Sequence, residues 1–194
     1  MKENNFFAMM SRMKYINRWV LMRNTTQEND CVHSLEVAMI AHALGVIRNT
    51  YFDGNVNAER LALIGMYHDA TEIITGDMPT PIKYRNPAIK AAYKAVEGEA
   101  GEELLEGLPK EMQDVYRPLL GYTEDEKELW KIVKAADKIS AYIKCIEEQR
   151  MGNREFEKAG ESIKEIITDM HMPEVDYFME KFMPAYMLTL DELR

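Results

Sequence analysis

The sequence predicts an all-α protein. Three observations carry that reading. Apolar residues recur at helical spacing along nearly the whole chain, good helix formers (Ala, Leu, Met, Glu, Lys) dominate, and no run alternates polar and apolar residues as a half-buried strand does. At 194 residues, 46% hydrophobic and 29% charged, the chain suits one packed domain spanning 1–194 and is short for two. Seven prolines and ten glycines are too few for a many-turned β architecture.

The elements follow in order. A first helix is expected at 5–16, around the apolar patch from Phe6 to Met10. That patch is too short for a secretory core, and no stretch approaches the ~20 apolar residues of a membrane span. The second helix, 33–48, places Val37, Ile40 and Leu44 within about 40° of His33, so His33 points along an apolar seam. His42 falls roughly opposite and reads as a core histidine bonded to a neighbouring helix. The third helix, 57–75, starts after Asn55 and Asn57 and ends at Gly76. Beyond it, Asp77-Met78-Pro79-Thr80-Pro81 is expected to be non-helical, because the prolines lack backbone donors. A helix at 87–105 carries an acidic, solvated face toward its end. Pro109 and Pro118 bracket a short element at 109–120. The helix at 124–151 turns Leu129, Val133, Ala136, Ser140 and Ile143 inward. Helices at 155–171 and 174–187 follow, the last one opened by Pro173.

Net charge is -9, which argues against a nucleic-acid polymer or an anionic membrane as partner. A small phosphate ester stays open, since one arginine and one cation in a cleft reverse the local potential. Two cysteines, Cys31 and Cys145, form no disulfide framework and fit a reducing, cytoplasmic setting.

The residues that carry chemistry are spread over a hundred positions. His33 opens one helix. His68-Asp69 sits near the end of the next, just before the proline-broken loop, with Glu72 one turn on. Asp137 lies within about 40° of Val133 and about 20° of Trp130, so it is drawn inward. A buried carboxylate needs a partner or a metal. Lys138 lies about 100° away and is a poor partner. A salt bridge to Arg18 or Arg60 is the plain alternative to a metal.

The order His33, His68-Asp69, Asp137 on successive helices resembles the HD superfamily of metal-dependent phosphohydrolases, and within it the bacterial 5′-deoxynucleotidases. The resemblance runs nearly end to end, through Phe7 to Arg23, His33-Ser34-Leu35, residues 66–72, residues 75–81, Ala135-Ala136-Asp137-Lys138 and residues 176–180. It implies an HD-type helical bundle with one divalent ion held by His33, His68, Asp69 and Asp137. Such a donor set suits Co, Mn or Zn, with Mg possible. It implies further that Arg18 orients a substrate phosphate, Trp19 packs on the nucleoside, and Glu72 is the acid/base. Asp77, Met78, Pro79 and Thr80 form a second substrate loop, where Asp77 faces the sugar or assists proton transfer. Asp69 borders the substrate as well. On their own, Arg18 reads equally as a surface ion pair, Glu72 as a solvated carboxylate near a helix C-terminus, and Asp77 with Thr80 as a turn cap.

The activity implied is hydrolysis of a deoxyribonucleoside 5′-monophosphate by a homodimer, with the apolar run 182–188 serving either the dimer interface or the core. The rivals are a phosphodiesterase or triphosphohydrolase on the same scaffold, and a non-catalytic nucleotide-binding helical module. In one respect the chain departs from relatives, which often carry an acid just before the first histidine. Here that residue is Val32, which predicts weaker support of the metal.

Overall fold

The computed structural model describes residues 4–83 and 85–194. Helix α1 (Phe6–Met10) runs into a 3-10 turn at Ser11–Tyr15, and α2 (Asp30–Tyr51) follows a long loop. Next come α3 (Ala58–Tyr67), the short α4 (Glu72–Thr75) and α5 (Thr80–Lys83), α6 (Pro87–Leu105), and α7 (Lys110–Tyr116). Helices α8 (Lys127–Arg150), α9 (Glu157–Asp169) and α10 (Pro173–Lys181) complete the chain. Among the described residues there is no strand, only an isolated antiparallel bridge between Asn17 and Asn29.

Local chemistry explains the helix starts. The side chains of Asn29, Asn57 and Asn86 accept from the backbone N–H of Val32, Arg60 and Ile89, capping α2, α3 and α6. Each cap typically contributes about 1 kcal/mol. Helix α2 is the axis of the molecule. Val37, Ala41 and Leu44 are wholly buried and meet Leu61 and Ile64 of α3 and Ile132, Ala136 and Ile139 of α8 in one core. Two glycines let α2 and α3 approach closely: a Cβ on Gly65 would lie 2.8 Å from Ala38 Cα, and one on Gly45 would lie 2.6 Å from a Leu61 methyl. A second apolar cluster, including Phe6, Leu104, Leu105 and Leu120, fixes α1 against α6. Of the described helices, only α2 is long and apolar enough to cross a membrane, and 56% of that stretch is buried in the core.

Several boundaries differ from expectation. Helix α2 starts at Asp30, three residues early, because Asn29 rather than a later residue is the cap. The expected 57–75 helix stops at Tyr67 and resumes at Glu72. Between them Ala70 and Glu72 donate three residues back, to Tyr67 and Asp69, tightening the turn. The proline-rich loop holds a helical turn after all. Pro81 sits in the first turn of α5, where a missing N–H costs nothing, and the Pro79 carbonyl accepts from Ile82 and Lys83. The last expected helix breaks at Phe182, and Pro184 then lies at the start of a 3-10 turn, Met183–Met187. His42 is exposed rather than a core residue.

Candidate active site

The tight turn after α3 is what makes the site. On that turn His68 Nε2 and Asp69 Oδ2, from adjacent residues, lie 3.1 Å apart. His33, in the first turn of α2, puts its Nε2 3.6 Å from the same Asp69 oxygen. The donor atoms of His33, His68 and Asp69 all lie within 4.8 Å of one another. From α8, Asp137 Oδ1 reaches His33 Nε2 at 3.1 Å. Two donors bound at right angles to one ion at ~2.1 Å would be about 3 Å apart, so these separations suit a shared cation.

Proton placement points the same way. His68 Nδ1 lies 2.8 Å from the Gly65 carbonyl, which can only accept, so Nδ1 carries the proton and Nε2 is bare. That Nε2 is buried and has no hydrogen-bond partner. His33 Nδ1 is 3.0 Å from Ser140 Oγ, and Ser140 donates onward to Glu36 at 2.6 Å. This leaves the His33 Nε2 lone pair against a carboxylate oxygen, a contact that becomes favourable with a cation between them. The residues present therefore fit a divalent ion.

Arg18 binds this cluster from the side. Its Nη1 donates to Asp69 at 2.9 Å and its Nε to Glu28 at 2.9 Å, with Asp30 and Asp137 at 3.6 and 3.9 Å. Burial works against its charge, but the facing carboxylates of Asp69, Asp137 and Glu28 outweigh it, and the guanidinium stays cationic. Backbone bonds from Arg18 N–H to Glu28 and from Asp30 N–H to Ile16 close the base of the 17–29 loop. Trp19 follows with a left-handed backbone, φ 58, and its ring rests on Phe156 with centroids 5.3 Å apart. The indole N–H is buried without a partner. Asp77 accepts from the Trp19 backbone N–H, which joins the two loops. Met78 and Pro79 are half-buried and Thr80 exposed. Among the described residues none of the three hydrogen-bonds to the histidine–carboxylate cluster.

Electrostatics separate the acids. Burial pushes Glu72 upward, reinforced by the charges of Asp69 and Asp30, to about 10. Asp30, pushed by burial and by Asp69, rises to about 7. Burial also raises Asp69 and Asp137, but the Arg18 guanidinium beside the first and the Lys138 ammonium beside the second hold both well below the usual carboxylate range. Burial and the nearby Arg18 charge lower His33 to about 4, so its ring is neutral and able to ligate at neutral pH.

Some expectations need correction. Glu72 is not solvated at a helix C-terminus: it opens α4 and is 6% exposed, with Oε2 unpartnered. Lys138 does pair with Asp137, at 2.9 Å, because its flexible stem folds back over one residue. Arg60 is engaged by Glu126 instead. Val32 is 61% exposed, so an acid at that position would sit outside the cluster. The residues that sequence reasoning passed over are Glu28, Asp30, Glu36 and Ser140. Asp30 and Glu36 lie one turn either side of His33, and Ser140 lies one turn after Asp137. That spacing was the available signal.

Comparison with known proteins agrees with the geometry. The family model described as 5′-deoxynucleotidase YfbR-like matches residues 5–186. A 5′-deoxynucleotidase of Cronobacter sakazakii is 52% identical over 196 residues, covering 100% of this chain and 97% of that protein. One from Photorhabdus laumondii is also 52% identical, covering 98% and 96%. Among solved structures, an HD-domain phosphohydrolase from Listeria innocua superposes with a TM-score of 0.82 at 24% identity, over 96% of this chain and 90% of that one. The cyanophage S-2L HD phosphohydrolase DatZ, solved with dA and one catalytic zinc ion, gives a TM-score of 0.66 at 18% identity, over 92% and 95%. The chain belongs to the YfbR-like 5′-deoxynucleotidase family.

Proposed function

We propose that the chain hydrolyses deoxyribonucleoside 5′-monophosphates to deoxynucleoside and phosphate, using one divalent ion held by His33, His68, Asp69 and Asp137. The observation that carries this reading is the convergence of three of those side chains within 4.8 Å, with Asp137 at 3.1 Å from His33 and the Arg18 guanidinium alongside. The zinc of the cyanophage enzyme supports Zn as the ion, beside Co and Mn. When bound, such an ion supplies Lewis-acid polarisation of the phosphate and a water acidic enough to attack near neutral pH.

The protein's own residues do the rest. Arg18 turns its planar fork from Asp69 toward the incoming phosphate and offsets developing charge. Glu72, buried beside Asp69, moves the proton during attack and departure. Asp77, tied to the Trp19 backbone, faces the sugar with Met78, Pro79 and Thr80, and Trp19 forms the wall against the base. Asp69 serves both the ion and the substrate side. All of this belongs to one working unit over 1–194, placed in the cytoplasm. Unpaired thiols at exposed Cys31 and buried Cys145 suit a reducing compartment.

A homodimer is part of the reading, and two surfaces support it. In the C-terminal run Met183 is buried in the core, while Phe182, Met187 and Leu188 are 47, 56 and 38% exposed. On α2, Val32, Leu35, Met39 and Val46 are 61, 54, 59 and 43% exposed. They fall at heptad spacing, the pattern of a helix that pairs with its own copy.

Phosphate release from a panel of deoxynucleoside and ribonucleoside monophosphates, cyclic nucleotides and triphosphates, with chelator and metal add-back, tests the proposal. Metal-dependent release from the 5′-deoxymonophosphates is expected. Preference for a cyclic or triphosphate substrate reassigns the chemistry, and nucleotide binding without release under any metal indicates a non-catalytic module.

A further inference from the structure

His33 is the most enclosed of the four proposed ligands, and its two ring nitrogens face different surroundings. Nε2 faces Asp137 and Asp69, while Nδ1 faces Ser140. Ser140 is 1% exposed. Its hydroxyl has a single proton, and that proton is given to Glu36 at 2.6 Å. Toward His33 the same oxygen can only accept, so Nδ1 is the protonated nitrogen and Nε2 the bare one.

The register behind this contact is simple. Glu36 lies one turn after His33 on α2, and Ser140 lies one turn after Asp137 on α8. Two packed helices thus present His33 and Glu36 to Asp137 and Ser140. The other acid near Nδ1 is Glu28, but its oxygen stands at 3.6 Å and is held by Arg18 at 2.9 Å. Position 32 is a valine, 61% exposed.

We infer that Ser140 and Glu36 are positioning residues that fix His33 as the Nδ1–H tautomer and aim its Nε2 at the divalent ion. They do, from inside the helix pair, what an acid at position 32 was expected to do. This rests on the metal reading proposed above. Partners of this kind, hydrogen-bonded to a ligating histidine, typically change metal affinity 10- to 100-fold when removed.

The test is zinc and manganese affinity of the full chain, stripped and then titrated against a chromophoric chelator, with thermal unfolding of the stripped protein as control. Ser140→Ala is expected to bind roughly 10- to 100-fold more weakly while unfolding near the native temperature. Glu36→Gln keeps an acceptor without its charge and should lose less. Added to Ser140→Ala it should cost nothing further, because the two act through one contact. Native affinity in folded Ser140→Ala overturns the inference. If Ser140→Ala does not fold, Ser140→Cys replaces it, and native affinity in that variant overturns the inference equally. A native chain that takes up neither ion from the chelator overturns the metal reading itself, a different result from a variant matching a metal-binding parent.

Discussion

At the scale of single residues, the site works by giving like side chains unlike environments. Glu72 and Asp69 are three positions apart. Yet one is pushed up to about 10 by burial and neighbouring charge, while the other is held low by the Arg18 guanidinium against that same burial. A carboxylate that stays ionised suits ligation, and one that keeps its proton suits acid/base work. Glu72→Gln removes the proton transfer but not a proposed ligand. Its metal content should match the native protein, while kcat falls by about 10² to 10⁴. Elemental analysis alongside phosphate release checks this, and near-native turnover would remove Glu72 from the chemistry.

At the scale of elements, the loop carrying Arg18 and Trp19 has no regular structure of its own and is held at its far end by a buried carboxylate. Glu148 accepts from the backbone N–H of Thr25 and Thr26, from the Thr25 hydroxyl at 2.6 Å, and from Asn153 at 2.8 Å. Lys144 of the same helix bonds both Glu148 and the Thr26 carbonyl. Burial works to raise the Glu148 carboxyl, but these donors prevail and hold it well below the usual 4.5. Because the folded value is depressed, the stability it contributes is complete above about 4.5 and is lost as pH falls below that. Glu148→Gln should therefore destabilise the protein by about 3 kcal/mol at pH 7, with the difference from native shrinking in acid. Unfolding curves at several pH values measure it.

The same scale explains what was legible in the sequence. Long helices with capping asparagines and an apolar stripe, such as α2 and α8, could be read because periodicity and burial agree there. The seam that buries His33 was visible for that reason. The break at His68 could not be read, because a 3-10 turn keeps the composition of the helix it interrupts and differs only in its hydrogen bonds. The Pro81 turn was missed because proline forbids helix interiors but not first turns. Residues defined by contact across helices, Ser140 and Glu36 against His33, carry no signal within their own helices beyond their spacing. His42 was assigned to the core although its angle sets it opposite the buried seam, and Lys138 was misjudged by an angle that ignores how far a lysine can bend.

At the scale of the whole molecule, the net charge of -9 does not hinder a phosphate substrate, because Arg18 and a divalent cation dominate the local field. The apolar stripe along α2 is a second molecular-scale feature. Replacing Leu35 and Met39, 54 and 59% exposed, by glutamate puts charge in the proposed seam without touching the core. The doubly substituted protein should elute as a monomer in light-scattering chromatography while keeping its helical content. A native mass unchanged by the substitutions would place the interface elsewhere.

Four side chains sharing one ion underlie the proposed chemistry, and the metal content of purified protein tests that most directly. After loading with zinc or manganese and removal of excess, the native chain should carry one ion per chain. A folded Asp137→Ala variant, treated identically, should retain little of it. A full complement in Asp137→Ala, or no retained ion in the native chain, would contradict the account.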